Sequence, residues 1–306
     1  MAHHHAPSAP YIPTYHDLPL TTPLGNATVH YISAGPPTHP TILLLHGFPS
    51  SSNQFRDLIP LLTPHYRILA PDLPGFGLTT IPEDFTYTFD NLTAIITAWL
   101  LALHVTRYAV YIFDYGAPVG LRLAIQNPSH IAAIISQSGN AYEEGFGHPF
   151  WDPIMALWNP ANPNSAADRD VLRGFYLQLS GTQYQYRTGE QESKFPLINP
   201  LAAETDYHLN LEGRAKQDVQ LDLFYDYRTY TALYPKVHAY FRASQVPLLA
   251  VWGRNDPVFV PPGAEAFKKD LPDAEVRFVE AGHFALETHR GEIAAMMLEF
   301  LGKVKF

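Results

Sequence analysis

The sequence contains no cysteine among its 306 residues, which excludes a disulfide framework and any metal site built on thiolates. Charged residues are few, at 16%, and the formal net charge is −9, with 20 basic and 29 acidic side chains. No block of Lys and Arg is present, so neither nucleic acid nor an anionic membrane is expected as a partner. Hydrophobic residues make up 46% of the chain, which predicts a folded globular protein with a sizeable core.

Long apolar segments are missing as well. No run approaches the roughly 18 residues that a membrane-spanning helix needs, and the N-terminal segment MAHHHAPSAP lacks the charged and apolar regions of a signal peptide. No ligand spacing such as HExxH indicates a metal site, and residues 75–77 (GFG) lack the further spacing of a phosphate-binding loop. The sequence therefore predicts a cytoplasmic protein that uses no metal and no cofactor.

Alternating strand and helix signals run through both ends of the chain. Short apolar segments predict strands at residues 41–46, 66–70, 108–113, 131–135, 247–252 and 275–279. Strands separated by helical crossovers predict a parallel sheet with helices on both faces. Residues 140–235 break this pattern and are rich in Tyr, Trp, Pro, Asn and Gln. We therefore expect an α/β core formed by residues 25–139 and 236–306, a helical cap at 140–235 and an N-terminal tail at 1–24.

The segment YIFDYGAP, residues 111–118, joins an apolar strand to a helix of small residues. Asp114 lies at the turn between them, and Pro118 suits the first turn of the helix that follows. A junction of this kind exposes one side chain at the top of a sheet. Asp114 could simply cap the helix. As a carboxylate it is also a nucleophile that needs no neighbouring base.

Three further motifs fall at the ends of predicted strands. Asp256 lies in WGRNDP (residues 252–257), His283 lies in AGHF (281–284), and the first strong strand ends in HGFP (46–49). Each motif alone has an ordinary explanation as turn chemistry. Open α/β sheets, however, build their sites at the carboxyl ends of parallel strands. We therefore expect Asp114, Asp256 and His283 to share one site.

In this order the motifs resemble those of the α/β-hydrolase superfamily, and the aspartate at the turn resembles its aspartate-nucleophile branch. That branch includes epoxide hydrolases and haloalkane dehalogenases. The resemblance spans roughly residues 25–305 and includes the loop DLPGFG at residues 72–77. It implies an α/β-hydrolase fold, with a mostly parallel sheet flanked by helices and an inserted helical cap, and it implies no cofactor.

The resemblance also implies a role for each motif. Asp114 would attack a saturated carbon and form an alkyl ester with the enzyme. His283, oriented by Asp256, would then activate a water molecule that cleaves the ester. The backbone N–H groups of Phe48 and Tyr115 would form the oxyanion hole that stabilises the charge on the ester group.

The leaving group distinguishes the two main reactions of this branch. Haloalkane dehalogenases commonly have Trp after the nucleophile and Asn or Glu in the oxyanion loop, where this chain has Tyr115 and Phe48. Epoxide hydrolases usually also have Trp after the nucleophile, so Tyr115 would place this chain in an outlying subgroup. HGFP matches the HGxP pattern of epoxide hydrolases, whose cap tyrosines protonate the opened epoxide. Tyr227 resembles one such tyrosine, and Tyr186 is a second candidate. Tyrosines at helical spacing usually pack in a core, however, so both have an alternative explanation.

One residue departs from the family pattern at the turn itself. Ile112 lies two residues before Asp114, where a small residue is usual. A bulky side chain there is expected to crowd the turn and to modify its geometry.

The leading hypothesis is a cofactor-independent hydrolase that opens an epoxide to a diol and acts on a small apolar or aromatic organic substrate. The alternatives are a haloalkane or haloacid dehalogenase, a biosynthetic cyclase or other non-hydrolytic enzyme, and a small-molecule receptor on the same fold. A receptor needs no intact catalytic triad, so the presence of Asp114, Asp256 and His283 together speaks against that alternative. The sequence indicates neither the oligomeric state nor the stereochemistry of the product.

Overall fold

An eight-stranded sheet forms the centre of the protein in the computed structural model, which describes residues 11–304. The strands are β1 (Thr14–Thr22), β2 (Gly25–Ala34), β3 (Thr41–Leu45), β4 (Arg67–Pro71), β5 (Tyr108–Phe113), β6 (Ile131–Gln137), β7 (Leu248–Gly253) and β8 (Glu275–Val279). Their order is β1-β2-β4-β3-β5-β6-β7-β8. β2 runs antiparallel to both β1 and β4, and the remaining neighbours are parallel. The predicted fold class is confirmed.

Helices cover both faces of this sheet. They are α1 (Ile59–Leu62), α2 (Phe89–Ala102), α3 (Gly116–Gln126), α4 (Asp152–Ala156), α5 (Ala166–Phe175), α6 (Leu179–Arg187), α7 (Ala202–Asn210), α8 (Arg214–Ser244), α9 (Pro261–Ala266) and α10 (Ala285–Leu301). Successive side chains of a strand point to opposite faces. Leu43 and Leu45 accordingly belong to an apolar cluster with α2, whereas Ile42 and Leu44 belong to a second cluster with α10. β3 is buried on both faces, which explains its continuous apolar sequence.

Residues 138–247, between β6 and β7, contain α4 to α8, and we call them the helical insertion. The cap was predicted to end at residue 235, but α8 continues through Pro235 to Ser244. A proline inside a helix removes one backbone hydrogen bond. Val237 and Phe241, just beyond it, are fully buried, and their packing holds the helix together. None of the helices within residues 11–304 has the length and hydropathy that crossing a bilayer requires.

Residues 1–24 were predicted to form an N-terminal tail, and this prediction is wrong for residues 14–22. Residues 14–22 form β1, which pairs with β2 along its whole length, from Thr14 opposite Ser33 to Thr22 opposite Gly25. β1 lies at the edge of the sheet and most of its side chains are exposed. Its sequence TYHDLPLTT therefore carries little of the apolar pattern that identifies a buried strand. Residues 1–10 lie outside the described part of the chain.

Candidate active site

A sharp turn between β5 and α3 presents the side chain of Asp114. This residue has a φ of 48°, in the left-handed region that non-glycine residues seldom adopt. Gly116, two residues later, approaches β3 so closely that a Cβ there would lie 2.3 Å from the carbonyl oxygen of Leu45. The turn therefore requires a glycine at 116 and holds the Asp114 carboxyl group at the carboxyl end of β5.

The bulky residue before the turn is accommodated by glycines elsewhere. A Cβ at Gly120 would lie 2.5 Å from Cγ2 of Ile112, and a Cβ at Gly139 would lie 2.8 Å from its Cγ1. The space that a small residue at 112 would leave free is therefore provided by α3 and by the loop after β6. Asp114 keeps its left-handed conformation, and we find no disruption of the turn by Ile112.

The two carboxylate oxygens of Asp114 have different surroundings. The backbone N–H groups of Phe48 and Tyr115 both donate to Oδ1, each at 2.7 Å. Gly47 makes this approach possible, since a Cβ there would lie 2.3 Å from the same oxygen. Oδ2 lies 4.0 Å from Nε2 of His283. One oxygen is thus held by the main chain, and the other faces the histidine.

Asp256 and His283 follow β7 and β8 and form a buried pair. Nδ1 of His283 lies 2.9 Å from Oδ2 of Asp256, which also accepts a hydrogen bond of 2.7 Å from the Ser138 hydroxyl. Oδ1 of Asp256 accepts hydrogen bonds from the backbone N–H groups of Val258 and Phe259, at 2.8 and 3.1 Å. These bonds fix the carboxylate, which in turn fixes the orientation of the imidazole. Nε2 of His283 has no hydrogen-bond partner among the described residues.

Burial and charge shift the pKa values of this site in a definite direction. Burial raises the pKa of Asp114 to about 6, although His283 and the N–H groups of Phe48 and Tyr115 oppose the rise. Burial acts to lower the pKa of His283, but the negative charges of Asp256 and Asp114 outweigh it, and the pKa lies above its ordinary value. The nucleophile and the base are therefore electrostatically coupled.

Tyr227, on α8, lies beside the nucleophile turn. Its side chain is fully buried, and its ring centroid lies 5.9 Å from that of Tyr115 and 4.8 Å from that of Trp151. Its hydroxyl approaches that of Tyr234 and opposes, by hydrogen bonding, the rise that burial causes in the pKa of Tyr234, although the contact falls outside full hydrogen-bond geometry. Burial also raises the pKa of Tyr227 itself well above its ordinary value. The group therefore stays protonated and able to donate a hydrogen bond.

The structure does not bring Tyr186 to Asp114. Its ring stacks on Phe284 at 4.0 Å, and its hydroxyl donates to the buried carboxylate of Asp206 at 2.6 Å. Ser50 also donates to Asp206, at 3.3 Å. The hydroxyl of Tyr186 is committed to a structural contact between α6 and α7, so the prediction that it donates a proton in the site does not fit its position.

The indole groups near the site are also committed. Nε1 of Trp151 donates to the carbonyl oxygen of Val258 at 2.8 Å, and Nε1 of Trp158 donates to that of Phe224 at 2.9 Å. Neither N–H remains for a ligand. Within residues 11–304, no group of three or more His, Asp or Glu side chains is arranged to hold a metal ion.

Sequence reasoning gave no role to two residues at the end of β6. Ser138, with a φ of 53°, donates to Asp256, and the Gln137 side chain donates to the carbonyl oxygen of His283 at 3.1 Å. Their position after a buried parallel strand was the available signal. Their partners could not be predicted from the sequence, because Asp256 and His283 lie more than a hundred residues away along the chain.

Comparisons with known proteins agree with this fold. The alpha/beta hydrolase fold family matches residues 40–290. The uncharacterized hydrolase YNR064C of Saccharomyces cerevisiae is 42% identical over 276 residues, which cover 90% of this chain and 93% of that protein. A haloalkane dehalogenase of Psychrobacter cryohalolentis is 38% identical over 297 residues, covering 89% of this chain and 87% of its own. The structure of epoxide hydrolase CorEH shares the fold, with a TM-score of 0.72 and 18% identity over 95% of this chain and 99% of that one.

Proposed function

This chain belongs to the α/β-hydrolase fold family, and we propose that it opens epoxides to diols through an ester on Asp114. The observation that carries the proposal is the difference between the two oxygens of Asp114. Oδ1 accepts two backbone hydrogen bonds of 2.7 Å, while Oδ2 faces His283. An ester formed through Oδ2 would leave Oδ1 in the oxyanion hole, where the charge of the next step develops.

In the first step, Oδ2 of Asp114 attacks a carbon of the epoxide ring. The carbon–oxygen bond breaks, and its electron pair goes to the epoxide oxygen, which takes a proton from the hydroxyl of Tyr227. The products are an alkyl ester on Asp114 with a neighbouring alcohol and the phenolate of Tyr227. A carboxylate is suited to this attack because it is already ionised at neutral pH, above a pKa of about 6.

In the second step, water attacks the carboxyl carbon of Asp114 while Nε2 of His283 takes a proton from it. The charge forms on Oδ1, within reach of the N–H groups of Phe48 and Tyr115. Collapse of this intermediate releases the diol, whose oxygen takes the proton from His283. The regenerated carboxyl group of Asp114 loses a proton and Tyr227 regains one, so the overall reaction adds one water to one epoxide.

The same geometry lets His283 change its basicity during the cycle. In the free enzyme the negative charge of Asp114 helps to raise the pKa of His283. Esterification removes that charge, so the pKa of His283 falls and its neutral form becomes more abundant. The histidine therefore becomes a ready base only after the nucleophile has reacted.

The aromatic surroundings of the turn support a small apolar or aromatic substrate, with the helical insertion acting as a cap over it. Phe48 and Phe224 lie 4.9 Å apart, between centroids, and both are near Tyr115, at 6.0 and 6.3 Å. All of these side chains are buried. Such surfaces favour hydrocarbon over charged groups.

A second candidate is haloalkane dehalogenation, which the 38% identity to the Psychrobacter cryohalolentis enzyme favours. A halide leaves without a proton but needs hydrogen-bond donors to hold it. The indole N–H groups of Trp151 and Trp158 already donate to backbone carbonyl oxygens. The residue after the nucleophile is Tyr115, which carries a hydroxyl and not an indole. We therefore rank epoxide opening first.

The experiment that separates the two uses His283→Gln, which we expect to form the ester but not to hydrolyse it. The variant is incubated with a panel of epoxides and a panel of haloalkanes, and the intact protein is weighed by mass spectrometry. Peptide mapping locates the adduct, and Asp114→Asn/His283→Gln serves as the matched control. An adduct on Asp114 from epoxides supports the proposal.

The other outcomes contradict it in different ways. An adduct from haloalkanes alone would identify the second candidate. If neither panel modifies Asp114, the alkyl-enzyme mechanism fails for these substrates, which favours a non-hydrolytic enzyme or a receptor.

A further inference from the structure

We propose that the side-chain hydroxyl of Tyr115 is a second donor to the substrate oxygen and acts together with Tyr227. Tyr115 would then serve twice, since its backbone N–H holds Oδ1 of the nucleophile at 2.7 Å. This inference rests on the proposed epoxide opening. It gives Tyr115 the role of second donor to the epoxide oxygen, which was predicted for Tyr186.

The first observation is that the hydroxyls of Tyr115 and Tyr227 are both buried and both lack a hydrogen-bond partner among the described residues. The side chain of Tyr115 is 1% exposed, and that of Tyr227 is 0% exposed. A buried hydroxyl without a partner costs free energy, so most such groups are satisfied. Tyr186, Tyr142 and Tyr230 follow that rule, with bonds to Asp206, Asp270 and Asn140.

The second observation is that the two unsatisfied hydroxyls share one apolar cluster. The rings of Tyr115 and Tyr227 are 5.9 Å apart and inclined at 37°, and both meet Phe89, at 5.0 and 5.8 Å. In the proposed complex both hydroxyls donate to a single small acceptor. The Phe side chains around them offer no acceptor of their own.

The third observation is the link to the nucleophile. Tyr115 directly follows Asp114, and its backbone is fixed by the bond to Oδ1 and by the start of α3. Its side chain therefore holds a constant position relative to the attacking oxygen. The negative charge of Asp114 also adds to the rise in the pKa of Tyr115 that burial causes, which keeps the hydroxyl protonated.

The chemistry explains why a phenol suits this position. As the carbon–oxygen bond of the epoxide breaks, the oxygen accepts hydrogen bonds from both hydroxyls and takes the proton of Tyr227. The hydroxyl of Tyr115 stays protonated and shares the negative charge. A phenol can donate a hydrogen bond or a proton and can accept one, whereas an indole N–H is a donor only.

The test measures the rate of ester formation in the His283→Gln background, with 1,2-epoxypropane and its trifluoromethyl analogue, 3,3,3-trifluoro-1,2-epoxypropane. We expect Tyr115→Phe to slow ester formation from epoxypropane by about 10²-fold, the usual effect of losing one such donor. The trifluoromethyl group stabilises the departing alkoxide, so the loss should be clearly smaller for the analogue. A purely structural role of Tyr115 would slow both epoxides equally.

Tyr240→Phe is the control for removing a buried tyrosine hydroxyl elsewhere in the protein, one that the Ser244 side chain approaches. Tyr240 interacts with Tyr108, at the opposite end of β5 from Asp114. We expect this variant to form the ester at the parental rate. We also expect Tyr115→Phe to melt no lower than its parent, since it loses no hydrogen bond.

Two results would overturn the inference while leaving the proposed function intact. One is ester formation at the parental rate in Tyr115→Phe, and the other is equal slowing of both epoxides. If the parental His283→Gln forms no ester with either epoxide, the proposed function itself fails, and the role of Tyr115 fails with it.

Discussion

Two polar groups of the site contrast, namely the Asp256 carboxylate on the sheet side and the Tyr227 hydroxyl on the insertion side. On the sheet side, the carboxylate of Asp256 accepts bonds from Ser138, Val258, Phe259 and His283. On the insertion side, the hydroxyl of Tyr227 is buried on α8 and completes no hydrogen bond within the described part of the chain. The same is true of Tyr115, where the two sides meet.

In the proposed mechanism, this difference corresponds to two kinds of preparation for catalysis. Groups that every catalytic cycle needs in one position are fixed in advance by the main chain and by each other, which lowers the cost of reorganisation. Groups that recognise the substrate are left without a protein partner, so that the substrate oxygen can supply it. Rigid strand ends suit the first task, and a packed helical insertion suits the second.

Replacing the nucleophile should have the largest effect. We expect Asp114→Asn to reduce turnover by roughly 10⁴-fold or more, because the amide cannot form the ester. Burial disfavours the charge of Asp114, so the neutral variant should be at least as stable as the parent. Steady-state kinetics and thermal unfolding measure the two quantities. A variant that keeps substantial turnover would assign the chemistry to another residue.

Removing the hydroxyl of Tyr227, on α8, should lower activity without a comparable loss of stability. We expect Tyr227→Phe to slow ester formation by about 10²- to 10³-fold, because the epoxide oxygen loses its proton donor. The melting temperature should fall little, because that hydroxyl makes no full hydrogen bond with a described residue and only approaches that of Tyr234. Rapid-quench mass spectrometry and calorimetry provide the readouts. A large drop in stability with unchanged chemistry would show that Tyr227 is a packing residue.

Acid should stop ester formation through the nucleophile on the sheet side. The raised pKa of Asp114, about 6, means that its carboxylate becomes protonated as the pH falls through that value. A protonated carboxyl group is not a nucleophile, so ester formation should fall about tenfold for each pH unit below about 6. In His283→Gln the midpoint should move to higher pH, because the histidine no longer lowers the pKa of Asp114. A flat profile down to pH 5 would contradict the predicted shift.

The close packing of Gly120 against Ile112 beneath the turn can be tested by measuring protein stability. A Cβ at Gly120 would lie 2.5 Å from Cγ2 of Ile112, so we expect Gly120→Ala to destabilise the protein by about 1–3 kcal/mol. Ile112→Ala/Gly120→Ala should be less destabilised than the sum of the two single variants, because the clash is absent. Denaturant unfolding of all four proteins gives the coupling. Simple additivity would mean that the two residues do not compete for space.

Tyr186→Phe should give the smallest effect and the opposite pattern to Tyr227→Phe. Asp206 loses a hydrogen bond of 2.6 Å, so we expect a loss of about 1–2 kcal/mol in unfolding free energy. Ester formation should keep its parental rate, because this hydroxyl lies outside the site. Slower ester formation with unchanged stability would make Tyr186 a candidate proton donor again.

Buried regular strands were the easiest part of the fold to predict. Every residue of β5 is apolar and buried, and its observed bounds, Tyr108–Phe113, are the predicted ones. β1 was missed because its exposed side chains carry no apolar signal and its stability comes from backbone bonds to β2. The end of α8 was missed because a proline is a local signal, whereas the burial of Phe241 is a tertiary one.

Prediction of the site from the sequence also failed where a residue's role depends on tertiary contacts. Motif order was enough to expect Asp114, Asp256 and His283 in one place, and the structure brings them within hydrogen-bonding or ionic reach of each other. It was not enough to choose between Tyr186 and Tyr227, since both are helical tyrosines with aromatic neighbours. The choice depends on Asp206, which lies 20 residues from Tyr186 and gives its hydroxyl a partner.

The donors that hold Oδ1 belong to the main chain, so every replacement at positions 48 or 115 except proline keeps them. Codons 48 and 115 are therefore natural targets for a saturation library in laboratory evolution. Each variant other than proline would keep the same backbone donor to the nucleophile while presenting a different side chain to the incoming molecule. In the proposed mechanism, a single exchange such as Tyr115→Trp changes the donor offered to the departing group and leaves the backbone donors of Asp114 in place.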